Sequence, residues 1–256
     1  MLQTAPKLHV ALARSQDDIR AAQRLRYDVF VEELGGDGPG VDHDRRLETD
    51  PFDRFADHLL LRYADGSDQS GDEIVGAYRL MTQPQAQAAG QYYSEDEFDL
   101  AKLTGGGFRL AELGRSCLHR DHRGGAALMA LWQGVARYIE ARGITLLFGV
   151  ASFPGTDLKQ FHDALSHLHH THLAPEAIRV TSRTPHAWSP LPRSAIDVKR
   201  AMRDTPALIK SYLKLGGTIG QGVYVDHAFN TTDVCLILPT RRINLEPFRR
   251  TARRLA

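Results

Sequence analysis

Residue type and spacing first point to chemistry at HRDHRGG (119–125). It lies between a strand-like segment, RLAELGRSCL (109–118), and a helix-like one, AALMALWQGVARYIEARG (126–143). A strand that runs through a glycine turn into a helix leaves free backbone N–H groups at the helix start. With Arg120 and Arg123 beside them and Gly124, Gly125 and Ala126 keeping the backbone open, those groups suit a phosphate. The same letters also read as an ordinary helix start with surface arginines. No Lys-Ser/Thr pair follows the glycines and the GxGxxG spacing is missing, which argues against P-loop and dinucleotide sites. Just before the turn, Cys117 shares a strand face with His119, so a thiol with an adjacent base is a second candidate. A third is His167, His169, His170 and His172 in SHLHHTH. It holds no acid or cysteine and no helical ligand pair with a catalytic carboxylate, so it reads as a polar loop or helix end, and no metal is expected.

The surrounding elements follow from patterning. LHVALAR (8–14) alternates as a strand, and Ser15 is placed to cap a helix with Asp17 and Asp18 in its first turn. That helix carries Ile19, Leu25, Val29, Phe30 and Leu34 and should stop at Gly35-Gly36. Residues 37–56 are Asp-rich and read as a long loop. Strands at 58–63 and 73–82 form a hairpin around the turn-rich 65–72. An insertion near 83–106 should hold a short helix over Ser94–Leu103 with Ser94 as its cap. Gly114 inside its strand hints at a bulge or a close backbone approach. ITLLFGVASF reads as a strand buried on both faces. Further on, 206–217 reads as a helix, and VYVDHAF and TDVCLILPT as strands. Strands alternating with helices indicate a mixed α/β (α+β) sheet in one domain over 1–240, followed by a basic tail, 241–256.

Net charge is +1, but residues 193–256 hold 12 Lys/Arg against 5 Asp/Glu, while the rest holds 20 against 26. A basic final quarter suggests an anionic partner such as an acidic carrier protein or an anionic membrane. EPFRRTARRLA places Phe248, Ala252 and Leu255 at helical spacing, so the tail reads as a peripheral amphipathic helix or as a solvated extension. No helix-turn-helix, zinc finger or basic–aromatic pattern supports nucleic acid. No apolar run approaches the roughly 20 residues of a membrane span, and no signal peptide is visible, so the expected compartment is the cytoplasm, with peripheral contact at the inner membrane.

Strand, basic glycine turn, long helix and apolar strand together resemble the GNAT acyltransferases, whose mixed central sheet is flanked by helices. In that family the turn binds the phosphates of a coenzyme A or phosphopantetheine arm. Here Gly124 and Ala126 match the turn and Asp121 departs from it, which favours an acyl carrier donor. Arg26-x-x-Val29-Phe30, Asp50-x-Phe52-Asp53, Arg79 and Glu112-Leu113-x-Arg115 are similar to acyl-homoserine lactone synthases, though the tryptophan expected after the phenylalanine is missing. RYDVFVEELGG, ETDPFD, ELGRSCL, LWQG, FGVASFPGTD and VDHAFNTTDVC resemble bacterial L-ornithine N-alpha-acyltransferases from about Leu8 to Leu238. That resemblance implies transfer of a 3-hydroxyacyl group from acyl carrier protein to ornithine, giving lyso-ornithine lipid, with no cofactor beyond the carrier's phosphopantetheine. An acceptor such as glutamine or glycine, an acetyl-CoA donor, and an inactive binding module are the alternatives.

On that reading Arg26, Phe30, Phe52, Asp53 and Arg115 bind the acceptor. Glu112, Asp50 and Arg79 form the catalytic group. The donor lies along Cys117, Leu118, Arg120, Arg123, Gly124, Gly125 and Ala126. Aminolysis of a thioester needs a proton acceptor. Glu112 reads equally as that base and as an ion-pair partner of Arg115 or Arg79. Asp50 and Asp53 read as holders of an ammonium group or as turn formers. A backbone N–H of Ser116–Leu118 would hold the oxyanion. Direct transfer is expected over an acyl-enzyme on Cys117.

Overall fold

The computed structural model describes residues 7–64, 72–184 and 188–243. In chain order the elements are β1 (Lys7–Leu12), α1 (Gln16–Arg26), β2 (Val41–Asp42), β3 (Leu47–Glu48), β4 (Asp57–Ala64), β5 (Glu73–Thr82), α2 (Gln83–Ala89), β6 (Phe98–Asp99), α3 (Ala101–Thr104), β7 (Leu110–Leu118), α4 (Gly125–Arg142), β8 (Leu146–Pro154), α5 (His162–His172), β9 (Thr181–Ser182), α6 (Val198–Asp204), α7 (Ala207–Lys214), β10 (Thr218–Ile219), β11 (Tyr224–Asp226) and β12 (Thr231–Pro239). Residues 244–256 of the basic tail, with its expected amphipathic helix, and most of the 65–72 turn lie outside the described residues.

The chain divides into two compact units, and β7 contributes to both. In the first unit, 1–81 and 113–143, the strand order is β1–β4–β5–β7. β1 and β4 are antiparallel, as are β4 and β5, with a bulge between Leu61 and Arg62. α4 covers β1 and β4 at close range. A Cβ on its Gly134 would lie 2.4 Å from a Val10 methyl and 2.8 Å from Leu59, so only glycine lets the helix approach the strands this closely. Gly143, at φ +60°, ends α4 as its left-handed cap.

The second unit, 82–112 and 144–244, runs β7–β8–β12–β10, with β11 paired to β12. Leu110–Glu112 of β7 pairs parallel with Leu146–Phe148 of β8, and β12 runs antiparallel to β8 along its whole length. Parallel and antiparallel pairings together make the sheet mixed, as expected. β8, expected to be buried on both faces, is so over Leu146–Gly149 and alternates between buried and more open positions from Val150 to Pro154. Among the described residues no helix is long and apolar enough to cross a membrane.

Two local expectations need correction. The helix after Ser15 begins as read, with Ser15 Oγ accepting the Asp18 N–H at 3.1 Å. From Tyr27 to Glu33, however, it widens into a π-helix. Its buried residues are Tyr27, Val29 and Val31. In the insertion, Ser94 does not cap a long helix. A single turn, Tyr93–Asp96, is followed by β6 and the four-residue α3. The Ser94 side chain is fully buried and committed elsewhere.

Candidate active site

Three arginines and three carboxylates of the first unit close into a ring of alternating charge. Arg26, on the last turn of α1, grips Asp53 with both terminal nitrogens, at 2.8 and 2.7 Å. Its Nε lies 2.5 Å from Glu48 Oε2. Glu48 Oε1 is 3.3 Å from Arg115 Nε, and Arg115 Nη2 donates to Asp50 Oδ2 at 2.7 Å. Asp50 Oδ1 meets Arg79 Nη1 at 2.8 Å, and that nitrogen is 3.5 Å from Asp53 Oδ1. Arg26, Glu48 and Arg79 are each at most 2% exposed. Isolated charges at that depth would be very costly, and alternation is what makes six tolerable.

Each element delivers its member for a local reason. β4 and β5 are neighbours, and His58 on β4 stands opposite Arg79 on β5. Buried His58 is pushed toward its neutral form by desolvation, and its Nε2–H donates to the Asp53 carbonyl at 2.9 Å, which pins the 50–56 turn. Asp50 turns that segment by accepting the Phe52 N–H at 2.8 Å. Phe52 then lies under the Arg79 guanidinium, 5.6 Å from its ring centre. Arg115 sits at φ +50°, a left-handed conformation that is strained for a non-glycine residue. Gly114 beside it meets only ordinary contacts, so the irregularity read from Gly114 is carried by Arg115.

The electrostatics follow. Burial alone would raise the Asp53 carboxyl. The Arg26 hydrogen bonds and the charges of Arg26 and Arg79 outweigh it and hold Asp53 well below the usual carboxylate range. Asp50 is lowered too, with Arg79 and Arg115 outweighing desolvation. Arg26 is raised despite its burial, through Glu48 and Asp53. Carboxylates held this low are poor proton acceptors and good fixed anions. Asp50, Asp53 and Pro51 also line a cleft of about 340 Å³ against Gln16, Ile19 and Gln23 of α1, with Arg54 at its edge. Gln23 Nε2 donates to Asp53 Oδ2 at 2.9 Å.

Glu112 lies in the second unit, three residues before Arg115 on the same strand. Its carboxylate is 3% exposed and accepts from the Ser94 N–H at 2.7 Å, the Tyr93 N–H at 3.1 Å and the Ser94 hydroxyl. Tyr92 packs edge-on to Phe148, which stands opposite Glu112 on β8.

At the turn before α4, Arg120, Arg123, Gly124, Gly125 and Ala126 are all exposed. A Cβ at Gly124 or Gly125 would meet nothing within 4 Å, so the backbone is uncrowded on that side. Arg123, read as a phosphate ligand, is engaged: its Nη1 and Nη2 grip Glu33 at 2.5 and 2.7 Å and its Nε donates to the Leu118 carbonyl at 3.2 Å. The Arg123 bonds in turn hold Glu33 below its usual value. Leu118 packs toward Gly76. Cys117 is buried with Ala22, Leu25, Val29, Leu60 and Ala77, with Phe30 half-buried against the same cluster. Burial pushes the Cys117 thiol up to about 12, so it is held as an inert thiol.

The clustered histidines lie in the last turns of α5, and two of them meet the chain after it. His170 Nε2 lies 2.8 Å from the Leu191 carbonyl, and the His169 ring is 5.9 Å from that of Trp188. Sequence reading missed Glu48, which was quoted inside ETDPFD without a role. It also missed a trio of acids, Glu97, Asp226 and Asp233, whose ligand atoms lie within 4.8 Å of one another.

Residues 25–133 match the acetyltransferase (GNAT) domain family. The L-ornithine N(alpha)-acyltransferase of Rhodobacter capsulatus is 49% identical over 235 residues, covering 92% of this chain and 91% of the relative. The enzyme of that name from Brucella abortus is 40% identical, covering 93% and 86%. In fold, the CoA-dependent acyl-homoserine lactone synthase BjaI superposes with a TM-score of 0.52 at 14% identity, covering 95% of this chain and 90% of that one. The N-acyl amino acid synthase FeeM, from uncultured soil microbes, does so with a TM-score of 0.51 at 14% identity, covering 95% and 99%. An acyltransferase fold and sequence identity of this extent place the chain in the L-ornithine N(alpha)-acyltransferase family.

Proposed function

We propose that this protein transfers a 3-hydroxyacyl group from the phosphopantetheine thiol of acyl carrier protein to the alpha-amine of L-ornithine, giving lyso-ornithine lipid. The observation that supports the ornithine part of the reading is the 38–49% identity to four relatives named L-ornithine N(alpha)-acyltransferase, over at least 92% of this chain. The amine nitrogen attacks the thioester carbonyl carbon, the C–S bond breaks, and the carrier leaves as its thiol. The amine proton passes to a base, for which Glu112 is the candidate, with the Ser94 hydroxyl on its carboxylate as a proton relay. Asp50 and Asp53 are matched by Arg26, Arg79 and Arg115, so they hold the wall of the cleft beside α1 in shape without giving it a net charge, and that polar wall is read as the acceptor's site. Arg54 at its edge suits the carboxylate end of an amino acid. The cleft is at the small end of the roughly 300–1,000 Å³ typical of ligand sites, which fits a free amino acid. The open turn at Gly124 and Gly125 suits a single phosphate. The residues act without a cofactor, and peripheral contact with the inner membrane suits an amphiphilic product.

The test incubates purified protein with 3-hydroxyacyl carrier protein, the matching acyl-CoA or acetyl-CoA, each against a panel of free amino acids, with product read by mass spectrometry. N-acyl ornithine from the carrier-bound donor alone is expected. Product only from acetyl-CoA, or acylation of glutamine or glycine in preference to ornithine, would overturn the assignment.

A further inference from the structure

The second unit carries a surface on α6 outside the residues assigned to acyl transfer. Among the described residues three large hydrophobic side chains are exposed, and two of them, Val198 and Met202, stand one turn apart on α6, each 50% exposed. Single exposed apolar residues are ordinary; a pair on one helix turn within a cationic surround is a pattern. Residues 193–214 carry six Lys/Arg and two Asp/Glu. Both acids are engaged by the fold. Asp197 caps α6 through the Arg200 N–H at 3.0 Å, and Asp204 takes Arg203 at 2.9 Å and Arg200 at 3.4 Å. Lys199 is exposed and has no ion-pair partner among the described residues, and the Arg203 side chain is 73% exposed. By helix periodicity Lys199 and Arg203 form the stripe beside Val198 and Met202, while Ala201 faces inward, fully buried.

We propose that this face of α6 docks on an anionic lipid bilayer, with Val198 and Met202 entering the interfacial layer and Lys199 and Arg203 on the lipid phosphates. Charge complementarity favours a lipid surface. Two isolated apolar side chains would need a matched pocket on a protein partner, whereas the interfacial layer accepts them without one. The inference names the surface for the peripheral membrane contact of the proposed function and rests on that part of it, not on the identity of donor or acceptor.

The experiment is co-sedimentation of the full chain with vesicles of phosphatidylcholine, or of phosphatidylcholine mixed with phosphatidylglycerol, and no substrate present. Binding to the mixture and not to phosphatidylcholine is expected, and weakening with salt. Lys199→Ser/Arg203→Ser should cut binding on the order of 30-fold, from about 1 kcal/mol per basic residue near the surface. Val198→Ser/Met202→Ser should cut it on the order of tenfold or more. Circular dichroism and turnover with a water-soluble donor should match the parent protein, which separates loss of docking from loss of folding or catalysis. Equal binding to both vesicle types, no binding to either, or variants that bind like the parent would each overturn the proposal. So would variants that lose an acidic carrier protein, or change the mass of the chain in solution, while keeping vesicle binding.

Discussion

Asp53→Asn removes one charge from the six-membered ring while keeping nearly the same shape. Arg26, 1% exposed, loses a bidentate partner at 2.8 and 2.7 Å and keeps Glu48. Three guanidinium groups then share two carboxylates in a site that excludes water. Breaking a buried pair from one side costs about 3–5 kcal/mol, because the surviving charge is left underpaired. At about 2–4 °C per kcal/mol for a chain of this size, the melting temperature should fall by roughly 10 °C. The pH dependence gives an independent readout. The folded-state pKa of Asp53 is depressed, so its stabilisation is complete above the unfolded carboxylate value of about 4 and fades as pH falls through the lower folded value. The variant should lack that portion, and its stability should decline less steeply in acid. Thermal and urea unfolding from pH 7 down to pH 3 test both effects. A drop below about 1 kcal/mol with an unchanged acid slope would refute the claim that the ring is held by its charges and would assign it the value of an exposed pair.

Glu112→Gln keeps the shape of the side chain but cannot take a proton, and its amide nitrogen must face the N–H of either Tyr93 or Ser94, so kcat should fall about 10²–10⁴-fold while the protein stays folded with some loss of stability. A rise in KM alone would remove the base from the mechanism. Cys117→Ala should keep turnover, and the parent thiol should resist iodoacetamide until unfolding, since burial holds it protonated to about pH 12; an acyl adduct on Cys117 in intact-mass spectra would contradict direct transfer. Gly134→Val forces α4 off Val10 and Leu59 and should cost about 1–3 kcal/mol in urea unfolding, and a neutral result would show that the helix gives way freely.

Much of this was legible in the order of residues. The α1 cap at Ser15, the stop at Gly143, the 58–63 and 73–82 hairpin and the apolar β8 each follow from one local rule, and each element stands where that rule puts it. What failed was decided at a distance. Ser94 followed by acids looks like a cap, but its hydroxyl is taken by Glu112, eighteen positions away. Glu48 looked like one acid among many in 37–56 because two-residue strands such as β2 and β3 are too short to show alternation. The π-helical turn was invisible because Leu25, Val29 and Phe30 also satisfy an α-helical stripe. Arg26, Asp50, Asp53, Arg79 and Arg115 were identified by resemblance. Their closure into a ring is a property of the fold alone.

That closure constrains how the chain can change. With charges alternating around a loop, the smallest change that removes charge and still preserves neutrality is a double one, a cation together with an anion. Deleting neighbours such as Arg26 and Asp53 leaves one unbroken run of the remaining four. Deleting members across the loop, Arg26 with Asp50, leaves two separate dyads, Arg79 with Asp53 and Arg115 with Glu48. Divergence or redesign that removes charge at this site should therefore advance by adjacent swaps, and any lineage or library that passes through a single charge-removing replacement carries an unbalanced interior until its second change arrives.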